Sequence, residues 1–219
     1  MTLHILNPNS SRVVTDGIDA AIDPMRAVSP VEIRCHLLAE GPAGIETQAH
    51  VDGVVLPLLA QARALEDGAS AFVVACFSDP GLAALREQSR KPVLGIGESA
   101  YLTALTLGQR FGILSIKRGS VARHIKTLGA MGLLDRLAAD RPIDLGVAEL
   151  NDSDRTFARL TAVGTRLRDD DSADVLILGC AGMARYRLDL ENTLGIPVVD
   201  PCQAATAMAI GRIALARCS

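Results

Sequence analysis

An α/β fold built of mainly parallel sheets is what this sequence predicts, and three observations carry the prediction. Short runs rich in Val, Ile and Leu alternate with longer stretches of helical i, i+3/i+4 spacing, the rhythm of βαβ units. The chain is 49% hydrophobic yet has only four Phe, two Tyr and no Trp, so its core must be aliphatic, as in strands covered on both faces. The two halves also repeat each other in order, which points to a duplicated half-sized unit and two pseudo-symmetric lobes.

The strands expected from the apolar runs span 3–6, 31–35, 71–75, 93–96, 111–114, 143–147, 175–178 and 198–199. Between them lie helical patterns such as Phe157, Leu160, Val163, Gly164 and Leu167. Pro57 should kink or break the helical stretch 47–67. Asp79-Pro80 reads as an N-cap followed by a first helical residue, placing a helix start just after Cys76. The duplication rests on three matches. Pro92-Val93-Leu94 aligns with Pro197-Val198-Val199 at an offset of 105, Val73-Val74-Ala75-Cys76 with Ile177-Leu178-Gly179-Cys180 at 104, and His4-Ile5-Leu6-Asn7 with Gly112-Ile113-Leu114-Ser115 at 108.

Composition narrows the function. A net charge of −3 argues against a nucleic-acid or membrane-surface partner. No apolar run approaches the ~18–20 residues of a membrane span. The N-terminus runs directly into a strand pattern rather than a signal peptide. Five cysteines, at 35, 76, 180, 202 and 218, are scattered without a Cys-x-x-Cys, so neither a disulfide framework nor a zinc knuckle is expected, and a cytoplasmic home is. Lysine is scarce (Lys91, Lys117, Lys126), and Lys117, near a strand end, is a weak candidate for a Schiff base to pyridoxal phosphate. There is no phosphate-binding Gly-x-x-x-x-Gly-Lys-Ser/Thr loop, and Gly95-Ile96-Gly97 is a lone fragment of a dinucleotide motif. The four histidines, His4, His36, His50 and His124, lack metal-ligand spacing. No cofactor and no metal are therefore expected.

Cys76 and Cys180 each follow a strand pattern, at the carboxyl edge where parallel sheets place their ligand crevice. Either cysteine alone reads equally well as a buried structural thiol. Two at equivalent points of a duplicated unit suggest opposed sulfurs in one cleft, one removing a proton from carbon and the other returning a proton to the opposite face. With an unperturbed pKa near ~8.5, a thiolate paired with a thiol is a reachable resting state, although the charge of Asp79 would oppose the thiolate. Cys35, Cys202 and Cys218 read as structural or incidental.

These segments resemble the cofactor-independent aspartate/glutamate/hydantoin racemases. The resemblance is carried by Asn7-Pro8-Asn9-Ser10-Ser11, Ala75-Cys76-Phe77-Ser78-Asp79-Pro80-Gly81, Gly95-Ile96-Gly97-Glu98-Ser99-Ala100, Gly179-Cys180-Ala181-Gly182-Met183 and Pro197-Val198-Val199-Asp200-Pro201. It is nearest to the hydantoin and allantoin branch. The resemblance implies an active site between two lobes, with Cys76 and Cys180 as the acid/base pair. It implies that Asn9, Ser10, Phe77, Ser78, Ser115, Ala181 and Gly182 contact a small-molecule substrate. The residues alone leave Asn9 and Ser10 open as helix caps. The lobes are expected over 1–96 plus 204–219 and over 97–203, in a homo-oligomer.

The amino-acid racemases of this group carry Cys-Asn-Thr and Cys-Thr-His where this chain has Cys76-Phe77-Ser78 and Cys180-Ala181-Gly182. An apolar Phe77 suits a neutral hydantoin-type ring better than a zwitterion. Where the family often has Thr-Thr, this chain has Ser115-Ile116, with one hydroxyl fewer. The alternatives are an aspartate/glutamate-type racemase, a decarboxylase or isomerase of small diacids, and a non-catalytic small-ligand binding protein. The wall that selects the C5 substituent is sought in the loop 41–47.

Overall fold

The computed structural model describes residues 1–216 of the chain; Cys218 and the end of the expected first lobe lie outside the described residues. Two four-stranded parallel sheets organise the fold. The first comprises β1 (Thr2–Asn7), β2 (Glu32–Leu37), β3 (Ala69–Val74) and β4 (Val93–Gly95), in the order β2-β1-β3-β4. The second comprises β5 (Phe111–Ser115), β6 (Leu137–Pro142), β7 (Val175–Leu178) and β8 (Val198–Val199), in the order β6-β5-β7-β8. The two orders are the same topology. The registers agree as well: Ile5 faces Val73 in the first sheet and Ile113 faces Ile177 in the second, the residues that the duplication aligns.

Seven of the expected strands fall where the apolar runs placed them, with ends shifted by up to two residues. The expected strand at 143–147 does not form. The strand is β6, whose sequence Leu-Ala-Ala-Asp-Arg-Pro is too polar to read as one, because it pairs with β5 alone at the sheet edge. The alternating Ile143, Leu145 and Val147 belong to the loop that leaves β6 and dips into the core under α7 (Ser153–Asp169). Ile143 and Leu145 donate their N–H groups to the carbonyls of Ser115 and Ile116, and Asp144 sits at φ +57 between them. Burial in a loop therefore mimicked a strand period.

The helical stretch around Pro57 is broken into α2 (Gln48–Gly53) and α3 (Val55–Leu65). Pro57 has no N–H for the carbonyl of Gly53, four residues back, and the break falls there. Side-chain caps begin several helices: Ser11 for α1 (Arg12–Ile22), Thr47 for α2, Asp152 for α7 and, beyond α8 (Arg187–Leu194), which has no side-chain cap, Asp200 for α9 (Pro201–Leu215).

Asp79 does not cap the helix that follows it. That helix, α4 (Leu82–Gln88), starts after Gly81 in the left-handed region and has no side-chain cap. The Asp79 carboxylate instead accepts from the N–H groups of Gly97 and Glu98, at 3.0 and 2.8 Å, and so caps α5 (Ile96–Ala104) from the neighbouring crossover. The glycines of Gly95-Ile96-Gly97 make this possible. A Cβ on Gly95 would lie 2.3 Å from Asp79 Cγ, and one on Gly97 would lie 2.4 Å from the carbonyl oxygen of Phe77. Their spacing serves this close approach rather than a dinucleotide.

The core is aliphatic, as composition requires. α9 lays Cys202, Ala205, Ala209 and Ile213 against Leu3, Ile5, Ala71 and Val73 of the first sheet. α5 packs on α9 and brings Ala100, Tyr101 and Ala104 against Phe111, Ile113, Val175 and Ile177 of the second sheet. Among the described residues, no helix is long and apolar enough to cross a membrane.

Candidate active site

Both sheets end toward one cavity. Its first-half wall comes from Asn9 after β1, Ala75 to Ser78 after β3, Val14 of α1 and Ile45 of the loop before α2. Its second-half wall comes from Ile116 after β5, Gly179 to Ala181 after β7, Val147, and Ser120, Arg123 and His124 of α6 (Arg118–Ala130). Equivalent strand ends thus supply equivalent walls, as expected where parallel strands terminate.

Cys76 and Cys180 are both partly buried free thiols on this wall, and their surroundings match. The Cys76 carbonyl accepts from the N–H of Asp79 at 2.9 Å, and the Cys180 carbonyl from that of Met183 at 3.1 Å. Each sulfur also receives a backbone N–H from two residues on, from Ser78 and Gly182 respectively. Burial is the largest influence on both. It pushes Cys76 up to about 12, against the Ser78 amide, with Cys180 and Asp79 adding to the rise and Arg123 opposing it. It pushes Cys180 up to about 11, against the Gly182 amide. Burial therefore biases both groups toward the thiol form, because desolvation of an anion outweighs the amides.

The other sequence-derived residues divide. Asn9, Phe77, Ser78 and Ala181 line the cavity with the cysteines. Asn9 Oδ1 accepts from Asn7 Nδ2 and from the N–H of Ser11, so it supports the capping residue while its Nδ2 makes no hydrogen bond among the described residues. Phe77 is 5% exposed and packs edge-on against Tyr101 and His124, with ring centroids 5.4 and 4.9 Å away. Ser10, Ser115 and Gly182 are not on the wall. Ser10 donates its N–H to the Pro42 carbonyl. Ser115 is fully buried with its hydroxyl on Asp140 and His124. Gly182 faces a neighbouring hollow beside Leu150 and Arg185.

Sequence reasoning missed Arg123, His124 and Val147, while Ile45 lies in the loop 41–47 where a wall was sought. Arg123 donates to the carbonyls of Gly119 and Glu46 and to Ser78 Oγ, and it has no carboxylate partner among the described residues. One signal for α6 existed: a helix that begins directly after a strand carries Ser120, Arg123 and His124 at i, i+3 and i+4, on one face at the sheet's carboxyl edge. Nothing in the sequence placed Val147 beside Ile45 on one wall. They meet because the loop 41–47 closes onto the loop after β6. There the Glu46 carboxylate accepts from Lys117 Nζ at 2.6 Å and from the N–H of Val147 at 2.9 Å. Lys117 is thereby tied to Glu46 and is absent from the cavity wall. Among the described residues, no group of three or more His, Cys, Asp and Glu gathers as a metal site would.

Residues 3–209 match the family model described as Asp/Glu/Hydantoin racemase. A hydantoin racemase of Pseudomonas sp. (strain NS671) is 34% identical over 210 residues, covering 91% of this chain and 81% of that protein. A hydantoin racemase of Paenarthrobacter aurescens is 31% identical over 219 residues, covering 98% and 92%. Among solved structures, an allantoin racemase from Klebsiella pneumoniae superposes with a TM-score of 0.91 at 31% identity, covering 99% of this chain and 89% of that one.

Proposed function

Since this chain belongs to the Asp/Glu/hydantoin racemase family, we propose that it racemises a 5-substituted hydantoin-type ring, a hydantoin or allantoin, without a cofactor. The observation that carries the reading is the matched pair Cys76 and Cys180, at equivalent strand ends on one cavity. One sulfur, as thiolate, takes the C5 proton, and the C–H electron pair moves into an enolate of the adjacent ring carbonyl. The opposing S–H then gives its proton to the other face of C5. The stereocentre is inverted, the thiolate and thiol have exchanged places, and no electrons leave the ring. The amides of Ser78 and Gly182 support whichever sulfur is anionic. Asn9 Nδ2 and Arg123 supply N–H donors for the enolate oxygen, an electrostatic contribution that grows as charge develops.

Burial favours the thiol form of both cysteines, so the working thiolate forms by loss of one S–H proton to solvent water, and the Ser78 or Gly182 amide offsets part of that cost. The C5 substituent lies against the apolar wall of Val14, Ile45, Ile116 and Val147. Phe77, Ser78 and Ala181 complete the contacts, while Ser10, Ser115 and Gly182 act from behind. We also propose that the lobes are 1–96 plus 204–219 and 97–203, a division favoured by the packing of α9 on the first sheet. The working form is a cytoplasmic homo-oligomer, a reading supported by the apolar composition and by four free cysteines among the described residues.

The test is chiral chromatography in D₂O on single enantiomers of 5-benzylhydantoin, allantoin, aspartate and glutamate, with Cys76→Ala and Cys180→Ala alongside. Racemisation of a ring substrate with deuterium uptake, lost by roughly 10²-fold or more in each variant, is expected. Turnover confined to aspartate or glutamate would overturn the ring assignment, and full activity in either variant would overturn the two-thiol mechanism.

A further inference from the structure

A polar network behind the cavity wall takes no part in the two-thiol chemistry. The side chains of His124 on α6 and Asp140 on β6 are 2% and 1% exposed, with His124 Nδ1 2.7 Å from Asp140 Oδ2. The Ser115 hydroxyl donates to the other oxygen of the same carboxylate and lies 3.2 Å from Nδ1. Asp140 accepts at both oxygens, one from Ser115 and one from the ring, which places an imidazole proton on Nδ1. Phe77 packs edge-to-face on the ring. Burying three polar groups here costs stability that an aliphatic cluster would not, which points to a use for the ring. Its other nitrogen, Nε2, makes no hydrogen bond among the described residues, and the ring forms part of the cavity wall.

We propose that His124 Nε2 accepts a ring N–H of the substrate, with Asp140 and Ser115 as positioning residues that hold the imidazole in that tautomer. The inference rests on the racemase reading above. Two other polar groups of the cavity, Asn9 Nδ2 and the Arg123 guanidinium, can only donate. A hydantoin-type ring presents N–H donors as well as carbonyls, and a buried N–H without an acceptor would weaken binding substantially. His124 provides that acceptor. It also separates the two halves functionally, since its network belongs wholly to the second.

The experiment combines a spectrum with a substrate series. Long-range ¹H–¹⁵N spectra of the whole protein should show His124 Nε2 as an unprotonated nitrogen that shifts on adding 5-benzylhydantoin. Methylation of the ring at N1 or at N3 should cost the wild type about 10- to 100-fold in kcat/KM at one of the two positions. His124→Phe, which keeps a ring but removes the acceptor, should lose about the same factor on the parent ring and less than about 3-fold more on that methylated ring, since the two changes remove one interaction. Asp140→Asn, whose amide donates to Nδ1 and places the proton on Nε2, should reproduce the His124→Phe loss with the ring signal of the other tautomer. Equal methylation penalties in wild type and His124→Phe, or a wild-type ring protonated at Nε2, would overturn the proposal. Failure of the wild type to racemise any ring would instead remove the racemase reading beneath it. Should both variants fail to fold, the wild-type spectrum with parent and methylated rings decides: a shift with both methylated rings as large as with the parent also overturns it.

Discussion

Replacing Gly97 with alanine places a methyl group where the chain leaves no room. The new Cβ would lie 2.4 Å from the carbonyl oxygen of Phe77 and 3.0 Å from Asp79 Oδ2. Real Cβ contacts keep at least 3.0 Å, so either α5 or the segment 77–79 must retreat by about 0.6 Å. Neither yields cheaply: the nearer obstacle is backbone, and the Asp79 carboxylate is bonded to the first turn of α5. Overpacking of this kind costs about 1–3 kcal/mol, which for a chain of this size lowers Tm by roughly 2–12 °C. The segment that moves follows Cys76 directly. A misplacement of 1 Å costs on the order of 10²-fold in rate, so roughly 10- to 20-fold in kcat is expected here. Urea unfolding and chiral chromatography read the two effects separately. Gly17→Ala is the control, because nothing lies within 4 Å of its Cβ and it sits inside α1. It should be neutral or gain up to about 1 kcal/mol. If Gly97→Ala behaves like Gly17→Ala, the seating of the Cys76 loop on α5 has been misread.

Two further outcomes follow from the buried groups. Both cavity thiols, Cys76 and Cys180, are raised above the unfolded value near ~8.5, so the folded chain retains protons that the unfolded chain releases. The associated stability is present in full below about pH 8.5 and declines as pH rises from there toward about 11 to 12. Iodoacetamide labelling of Cys76 and Cys180 should rise about tenfold per pH unit from 7 to 9. A plateau in labelling near pH 8.5 would contradict the burial argument. Tyr101 is fully buried, and its hydroxyl has no hydrogen-bond partner among the described residues. Tyr101→Phe should therefore gain about 1 kcal/mol, or roughly 2–4 °C in Tm, while a loss of that size would mean that the hydroxyl is bonded in solution.

Much of the fold could be read because its signals are local. Seven strands announce themselves as Val/Ile/Leu runs, and the break near Pro57 follows from a missing N–H. Cys76 and Cys180 were legible for a second reason: the duplication placed both at the same point of the same unit. β6 was not legible, because its Asp140 and Arg141 disguise an edge strand, while Ile143, Leu145 and Val147 show a strand's period in a loop. The role of Asp79 was misassigned on the same grounds. A cap was sought in the following helix, and the carboxylate reaches the next one, across a gap that two glycines keep open.

By itself the sequence determined the layer architecture, the aliphatic core and the identity of the two thiols, since periodicity, composition and strand-end position are properties of short stretches. Tertiary structure alone decided the rest of the wall around those thiols. Arg123 and His124 reach the cavity because α6 starts at the end of β5. Ile45 and Val147 meet because Glu46 bridges to a peptide 101 residues away. The protonation of the thiols was likewise beyond the sequence, because desolvation depends on the walls that both halves build together. Contacts between distant segments leave no period in either segment, and their energies exist only once the chain has closed around the cavity.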